Sequence, residues 1–221
     1  MQKRFELVIF DLDGTLIDNR YAIRQNYNHA RAVHGYAPVT DSDIDAMIGI
    51  PLQEMFEREL PESEHHLAAS MVNAYRARYR EMPHDGVVIF DDVIQTLEYL
   101  KDNSFKTSLA TTKLSYIAEM LLQKIGLAQY FDLIAGSTET IMEKPHPDII
   151  FDILGKLSVN RERAVLVEDT PTGIMTGKNA GVYTIAVTTS VPWATTMEAL
   201  RQAGPDQIIA SLSELQNHLY L

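Results

Sequence analysis

The sequence predicts an α/β protein built on a parallel sheet, with a block of helices inserted directly after the first strand. Three observations carry this expectation. Short apolar runs recur, each followed by a longer stretch of helical period, the alternation that produces a sheet covered by helices. The texture changes between the first run and the second, and the runs end in polar residues of related chemistry. In order, the runs are Leu7 to Phe10, Thr107 to Ala110, Phe131 to Ala135, Ala164 to Val167, Thr184 to Val187 and Gln207 to Ala210. Between the first two, long polar helices are expected at Tyr21 to His34, Ser42 to Leu60 and Glu64 to Glu81, with no strand evident, and the turn-like Met82 to Gly86 closes the block. The expected organisation is a discontinuous core domain, 1–15 and 87–221, interrupted by a helical domain over 16–86.

The chain has 221 residues, 46% hydrophobic and 22% charged, enough to bury a core. A net charge of −11 argues against a general binder of nucleic acid or membrane surfaces, both of which need a cationic face. An anionic substrate would need positive charge concentrated at its site. The absence of cysteine excludes disulfides, thiolate zinc sites and cysteine catalysis, and it suits a reducing compartment, so a cytoplasmic location is expected. The first apolar run has Glu6 before it and Asp11 after it and does not resemble a signal peptide. No stretch reaches the roughly 18 apolar residues that span a bilayer. A soluble monomer or homodimer is expected.

Ligands of open parallel sheets sit at the carboxyl ends of the strands, so the residues that end each run matter most. The first run ends in Asp11, Leu12, Asp13, Gly14 and Thr15; the second in Thr111, Thr112 and Lys113; Glu143, Lys144 and Pro145 follow the third; Glu168, Asp169 and Thr170 end the fourth. This set matches the needs of phosphoryl transfer. A carboxylate nucleophile, Asp11, makes a labile acyl phosphate and divides a difficult hydrolysis into two displacements. Asp13, two residues on and on the same side of an extended chain, can protonate the leaving oxygen and then activate water. A phosphate dianion approaches a carboxylate only with a cation between them, and hard oxygen donors select Mg²⁺. Asp11, Asp13 through its backbone carbonyl, and Asp169 are candidate ligands, with Glu168 beside them. Lys144 would neutralise the transferring phosphoryl group and Thr111 would hydrogen-bond its oxygen, with Thr112 and Lys113 adjoining. Gly14 would let the backbone turn closely around the phosphate.

Asp11 to Thr15 (DLDGT) resembles the first motif of the haloacid dehalogenase (HAD) superfamily, Thr111 in LATTK the second, Lys144 in KPHPDIIF the third, and Glu168-Asp169 in VLVEDTPTGI the fourth, in the same order and spacing. The resemblance spans the whole chain. It implies a Rossmann-like HAD core, a C1-type helical cap that moves to exclude water, Mg²⁺ as cofactor, and a small phosphorylated metabolite as substrate. Within the superfamily two branches compete. Glu168-Asp169 with Gly173, where many phosphatases carry Asp, is similar to the β-phosphoglucomutase-like mutases. Ile23 stands where those mutases carry His, and Gly49 to Leu52 where they carry an Arg-containing motif, so Met47 to Phe56 holds no cation for a second phosphate. GIPLQEMF and KPHPDIIF resemble the phosphoglycolate-phosphatase-like branch, and a phosphatase is expected. A mutase, or a HAD-fold protein that binds a phosphorylated ligand without turnover, is the alternative. Asn19, Arg20 and the loop at Gly49 are the cap candidates for substrate contact, with hinges at Leu16 to Asn19 and Pro83 to Val87.

Overall fold

The structure, a computed structural model, describes residues 2–81, 85–138, 141–191 and 195–221. In chain order its strands are β1 Leu7–Phe10, β2 Ile17–Asp18, β3 Val88–Ile89, β4 Lys106–Leu114, β5 Leu133–Ser137, β6 Ala164–Glu168, β7 Tyr183–Val187 and β8 Gln207–Ile209. All but β2 and β3 form one six-stranded sheet in the order β5-β4-β1-β6-β7-β8, and every pairing in it is parallel. The strand β1 reads LVIF because it is buried on both faces, as central strands of covered parallel sheets are. Its side chains alternate between two cores. Val8 and Phe10 pack with Val165, Val167 and Leu109 on one face; Leu7 and Ile9 pack with Leu166 and Ala110 on the other.

Register then decides where the polar residues fall. Phe10 lies opposite Leu109 of β4 and Val167 of β6, and the Asp11 amide continues the ladder by donating to the Val167 carbonyl at 3.0 Å. The next residues of three neighbouring strands therefore reach one edge together. The strand order turns in opposite directions on either side of β1, which makes this edge the crevice where such sheets bind ligands.

The inserted helices are α1 Arg20–Val33, α2 Asp41–Asp45, α3 Leu52–Glu59 and α4 Ala68–Glu81. They enclose an apolar core of their own, in which Tyr27 stacks on Phe56 at 4.4 Å beside Ile44, Met71, Tyr75 and Tyr79. Ile117 of α6 (Ser115–Lys124) also packs into it, binding the insertion to the sheet layer. The sheet faces are covered by α6 together with α5 Val93–Asp102, α7 Asp148–Leu157, α8 Pro171–Ala180 and α9 Met197–Ala203.

Three expectations need correction. The helix expected over Ser42 to Leu60 is two helices, because Gly49 adopts φ +101° and Pro51 disfavours helix at the residue before it. The stretch from Glu64 begins as a 3₁₀ turn, Glu62–Leu67, before α4. The insertion is not free of strand: β2 pairs antiparallel with β3, Ile17 opposite Ile89 and Asp18 opposite Val88. Two residues on each side are too few to show a period. Of the expected closing turn, residues 82–84, and with them Pro83 of the expected hinge, lie outside the described residues.

Candidate active site

Beyond Asp11 the chain curls back on itself. The Gly14 amide donates to the Ile17 carbonyl at 2.8 Å and the Ile17 amide to the Leu12 carbonyl at 3.1 Å. Gly14 has φ +88°, and a Cβ there would lie 2.1 Å from Asp169 Oδ2, so both its conformation and its closeness to the acid demand glycine.

Lys144, 7% exposed, reaches in from the loop before α7. Its Nζ donates to Asp11 Oδ1 and to Glu168 Oε1, each at 2.7 Å. The other oxygen of Glu168 accepts from the amides of Asp169 and Thr170 and from the Thr170 hydroxyl, at 2.8–2.9 Å. Thr170 caps α8 by accepting from the Gly173 amide. The Glu168 carboxylate also occupies the space beside Gly173, where a Cβ would lie 1.7 Å from Oε1. Thr15 donates to Asp169 Oδ1 at 2.9 Å, and Asp169 Oδ2 is buried with no partner.

Asp11, Glu168 and Asp169 each present an oxygen within 4.8 Å of the others. Burial, opposed by Lys144 and reinforced by Glu168, pushes the Asp11 carboxyl up to about 7. Burial, with Glu168 and Asp11 adding, holds the Asp169 carboxyl well above its ordinary range. Burial alone would lower Lys144, but the charges of Asp11 and Glu168 outweigh it and keep the ammonium above its usual value. Three buried carboxyls against one lysine, with one acid oxygen lacking any donor, form a donor set that could hold a divalent cation.

The end of β4 is irregular between Ala110 and Leu114, and such irregularities re-aim side chains. Lys113 turns to Asp13 Oδ2 in a short ion pair. Burial would lower the lysine, and Asp13 raises it above its ordinary range. Asp13 Oδ1 is buried without a partner. Thr112 lines the crevice with Asp11, Asp13, Gly49, Lys144, Glu168 and Thr170. Thr111 is absent from that lining; its buried hydroxyl accepts from the Lys113 amide at 3.2 Å.

The crevice continues into a larger cleft of about 680 Å³, partly open to solvent, and the two share Asp13, Gly49 and Thr112. The cleft wall is largely apolar, with Ile23, Ile48, Leu52, Met55, Leu114 and Ile117 contributing. Gly49, expected at the site, borders both spaces. Two other cap residues expected there do not line either. Arg20 is bound by Asp18 at 2.6–2.9 Å and lies 3.7 Å from Asp45, captured by acids of its own neighbourhood. Asn19 is buried and donates to the Tyr79 hydroxyl at 2.9 Å, so it touches the cleft only through that tyrosine. Tyr75, Arg76 and Tyr79 of α4 line the cleft and were not anticipated. Among the described residues Arg76 forms no hydrogen bond or ion pair, although its charge acts on the Glu143 carboxyl. The Met47 to Phe56 segment is free of Lys and Arg, yet the cap does bring a cation to the cleft, from α4.

A parallel sheet whose central strand ends in a carboxylate pair, faced by a buried lysine and a second acidic strand end beneath inserted helices, defines a capped Rossmann-like hydrolase. The model of the haloacid dehalogenase-like hydrolase family matches residues 8–187, and the chain belongs to that family. It is 30% identical over 213 residues to a protein of Bacillus velezensis named pyrophosphatase PpaX, covering 96% of this chain and 95% of that one. It is 31% identical over 225 residues to a phosphoglycolate phosphatase of Agrobacterium fabrum, covering 97% and 92% respectively. A haloacid dehalogenase-like family protein of Streptococcus pneumoniae shares the fold, with TM-score 0.86 at 24% identity over 97% of this chain and 98% of that one. No helix among the described residues is long and apolar enough to cross a membrane.

Proposed function

We propose that the protein is a Mg²⁺-dependent phosphatase that hydrolyses a small phosphomonoester through an aspartyl-phosphate on Asp11. The observation that carries this reading is the buried cluster of Asp11, Glu168 and Asp169 around Lys144, with Asp169 Oδ2 lacking a partner. Asp11, Asp169 and the Asp13 backbone carbonyl would hold the cation. When bound, it supplies positive charge that lets a phosphate dianion approach these carboxylates. Glu168, its oxygens engaged by Lys144, two amides and a hydroxyl, would chiefly hold the lysine and the turn that carries Asp169. An Asp11 oxygen attacks phosphorus and the bond to the leaving oxygen breaks. Asp13 gives that oxygen a proton, then takes one from the water that cleaves the acyl phosphate, releasing inorganic phosphate and restoring Asp11. Lys144 stays charged throughout and balances the phosphoryl oxygens.

The relatives named pyrophosphatase and phosphoglycolate phosphatase support a small phosphorylated substrate. Arg76 favours a second reading, a mutase, because it supplies the cap cation that a bisphosphorylated intermediate needs. The test is phosphate release from a panel of phosphomonoesters. Release should vanish with excess chelator, return with Mg²⁺, and fall by at least about 10³-fold in Asp11→Asn, whose near-isosteric side chain cannot form the acyl phosphate. Full activity in chelator, or near-normal turnover by Asp11→Asn, would remove this mechanism. Conversion of β-glucose 1-phosphate to glucose 6-phosphate without phosphate release would establish the mutase instead.

A further inference from the structure

Resting on the phosphatase reading, we infer that the substrate's leaving group is an apolar chain or ring that ends in an anionic group. The phosphate-bearing crevice and the large cleft share Asp13, Gly49 and Thr112, so a phosphoryl group at Asp11 directs its leaving group past Asp13 into the cleft. There it meets mostly hydrocarbon. Ile48, Leu52 and Met55 come from the insertion, and Leu114 and Ile117 from the sheet layer. A polyhydroxylated leaving group would gain few hydrogen bonds from such a wall, and burying unsatisfied polar groups is costly. Burial of methylenes is favourable there.

Two cations border this cleft, Lys113 and Arg76. Lys113 is committed to Asp13. Arg76 makes no hydrogen bond or ion pair among the described residues, and its charge acts at longer range on the Glu143 carboxyl. A half-buried guanidinium beside a largely apolar wall is suited to a carboxylate or second phosphate, which it can bind through two parallel hydrogen bonds. Pyrophosphate and phosphoglycolate leave the hydrocarbon wall unused.

A series with constant leaving-group chemistry tests the inference: n-alkyl phosphates from ethyl to hexyl, their ω-carboxylate counterparts, pyrophosphate and phosphoglycolate, all with Mg²⁺. The kcat/KM should rise roughly two- to fourfold per added methylene. The ω-carboxylate should add a further preference in the longer members, and Arg76→Ala should collapse that carboxylate-to-alkyl ratio while Arg76→Lys recovers part of it. Binding of the matching alkylphosphonates, measured by calorimetry, should follow the same slope. A flat series, or a preference for pyrophosphate or phosphoglycolate over the hexyl members, would overturn the apolar leaving group. Chain-length-dependent phosphonate binding without phosphate release from any ester would sustain it and sink the phosphatase reading instead.

Discussion

Asp169 Oδ2 and Gly14 illustrate how narrowly single atoms are placed, and the pair Glu168 and Gly173 shows the same in a form that can be tested. The Glu168 carboxylate fills the volume a side chain at 173 would need, and its oxygens fix Lys144 and the amides after β6. Gly173→Ala should therefore push Glu168 aside, destabilising the protein by about 1–3 kcal/mol and lowering kcat through the displaced lysine. Glu168→Asp withdraws the colliding atoms, so in the double variant the two losses should fall short of their sum. Urea unfolding of the four proteins measures this, and strict additivity would show that the contact is relieved by other means. The same contact gives a physical reason for the glycine at 173: with a glutamate at 168 there is no room for an aspartate.

At the scale of elements, α4 links the insertion's own packing to the cleft. Asn19 begins α1 without capping it, and spends its side chain on the Tyr79 hydroxyl instead. Tyr79→Phe should leave that buried amide without its acceptor and cost about 1–2 kcal/mol, read as a shift in the urea midpoint at unchanged slope. No shift would mean that the Asn19 amide finds another acceptor. What could be read from the sequence, and what could not, divides along the same elements. Asp11, Lys144, Glu168 and Asp169 were legible because each lies at or beyond the end of an apolar run, and parallel register brings such ends to one edge. The α4 face was not. Nothing local in Tyr75-Arg76-Ala77-Arg78-Tyr79 says which side meets a loop some 25 residues earlier and a strand end beyond 110. Arg20 is the converse case: its acid partner Asp18 lies two residues away, and a local pairing of that kind leaves no mark on the pattern of strand ends.

Over the whole molecule the acidic site makes stability depend on pH in a direction that can be worked out. Burial raises Asp11 from 3.8 to about 7 and raises Asp169 as well. Between these values the cation-free folded state holds more protons than the unfolded chain, so its stability falls as pH rises from about 4 to 7. Asp18, whose carboxyl is lowered by its hydrogen bond from Arg20, acts oppositely: its contribution is present above its ordinary value and is lost as pH falls below about 4. The melting temperature of chelator-treated protein should therefore peak near pH 4–5 and decline toward pH 7.5, and Mg²⁺ should raise it most at the higher pH. A rising profile between pH 5 and 7.5 without metal would contradict the burial of these acids. The paired strands β2 and β3 carry a different consequence. Because the chain enters and leaves the helical block along two hydrogen-bonded neighbours, the block is attached like a cassette. A foreign segment whose ends lie about 4.8 Å apart, one strand spacing, meets the geometric condition for replacing it without altering the sheet, so the cleft wall that the insertion supplies could be exchanged in recombinant chimaeras while the acidic strand-end edge is inherited intact.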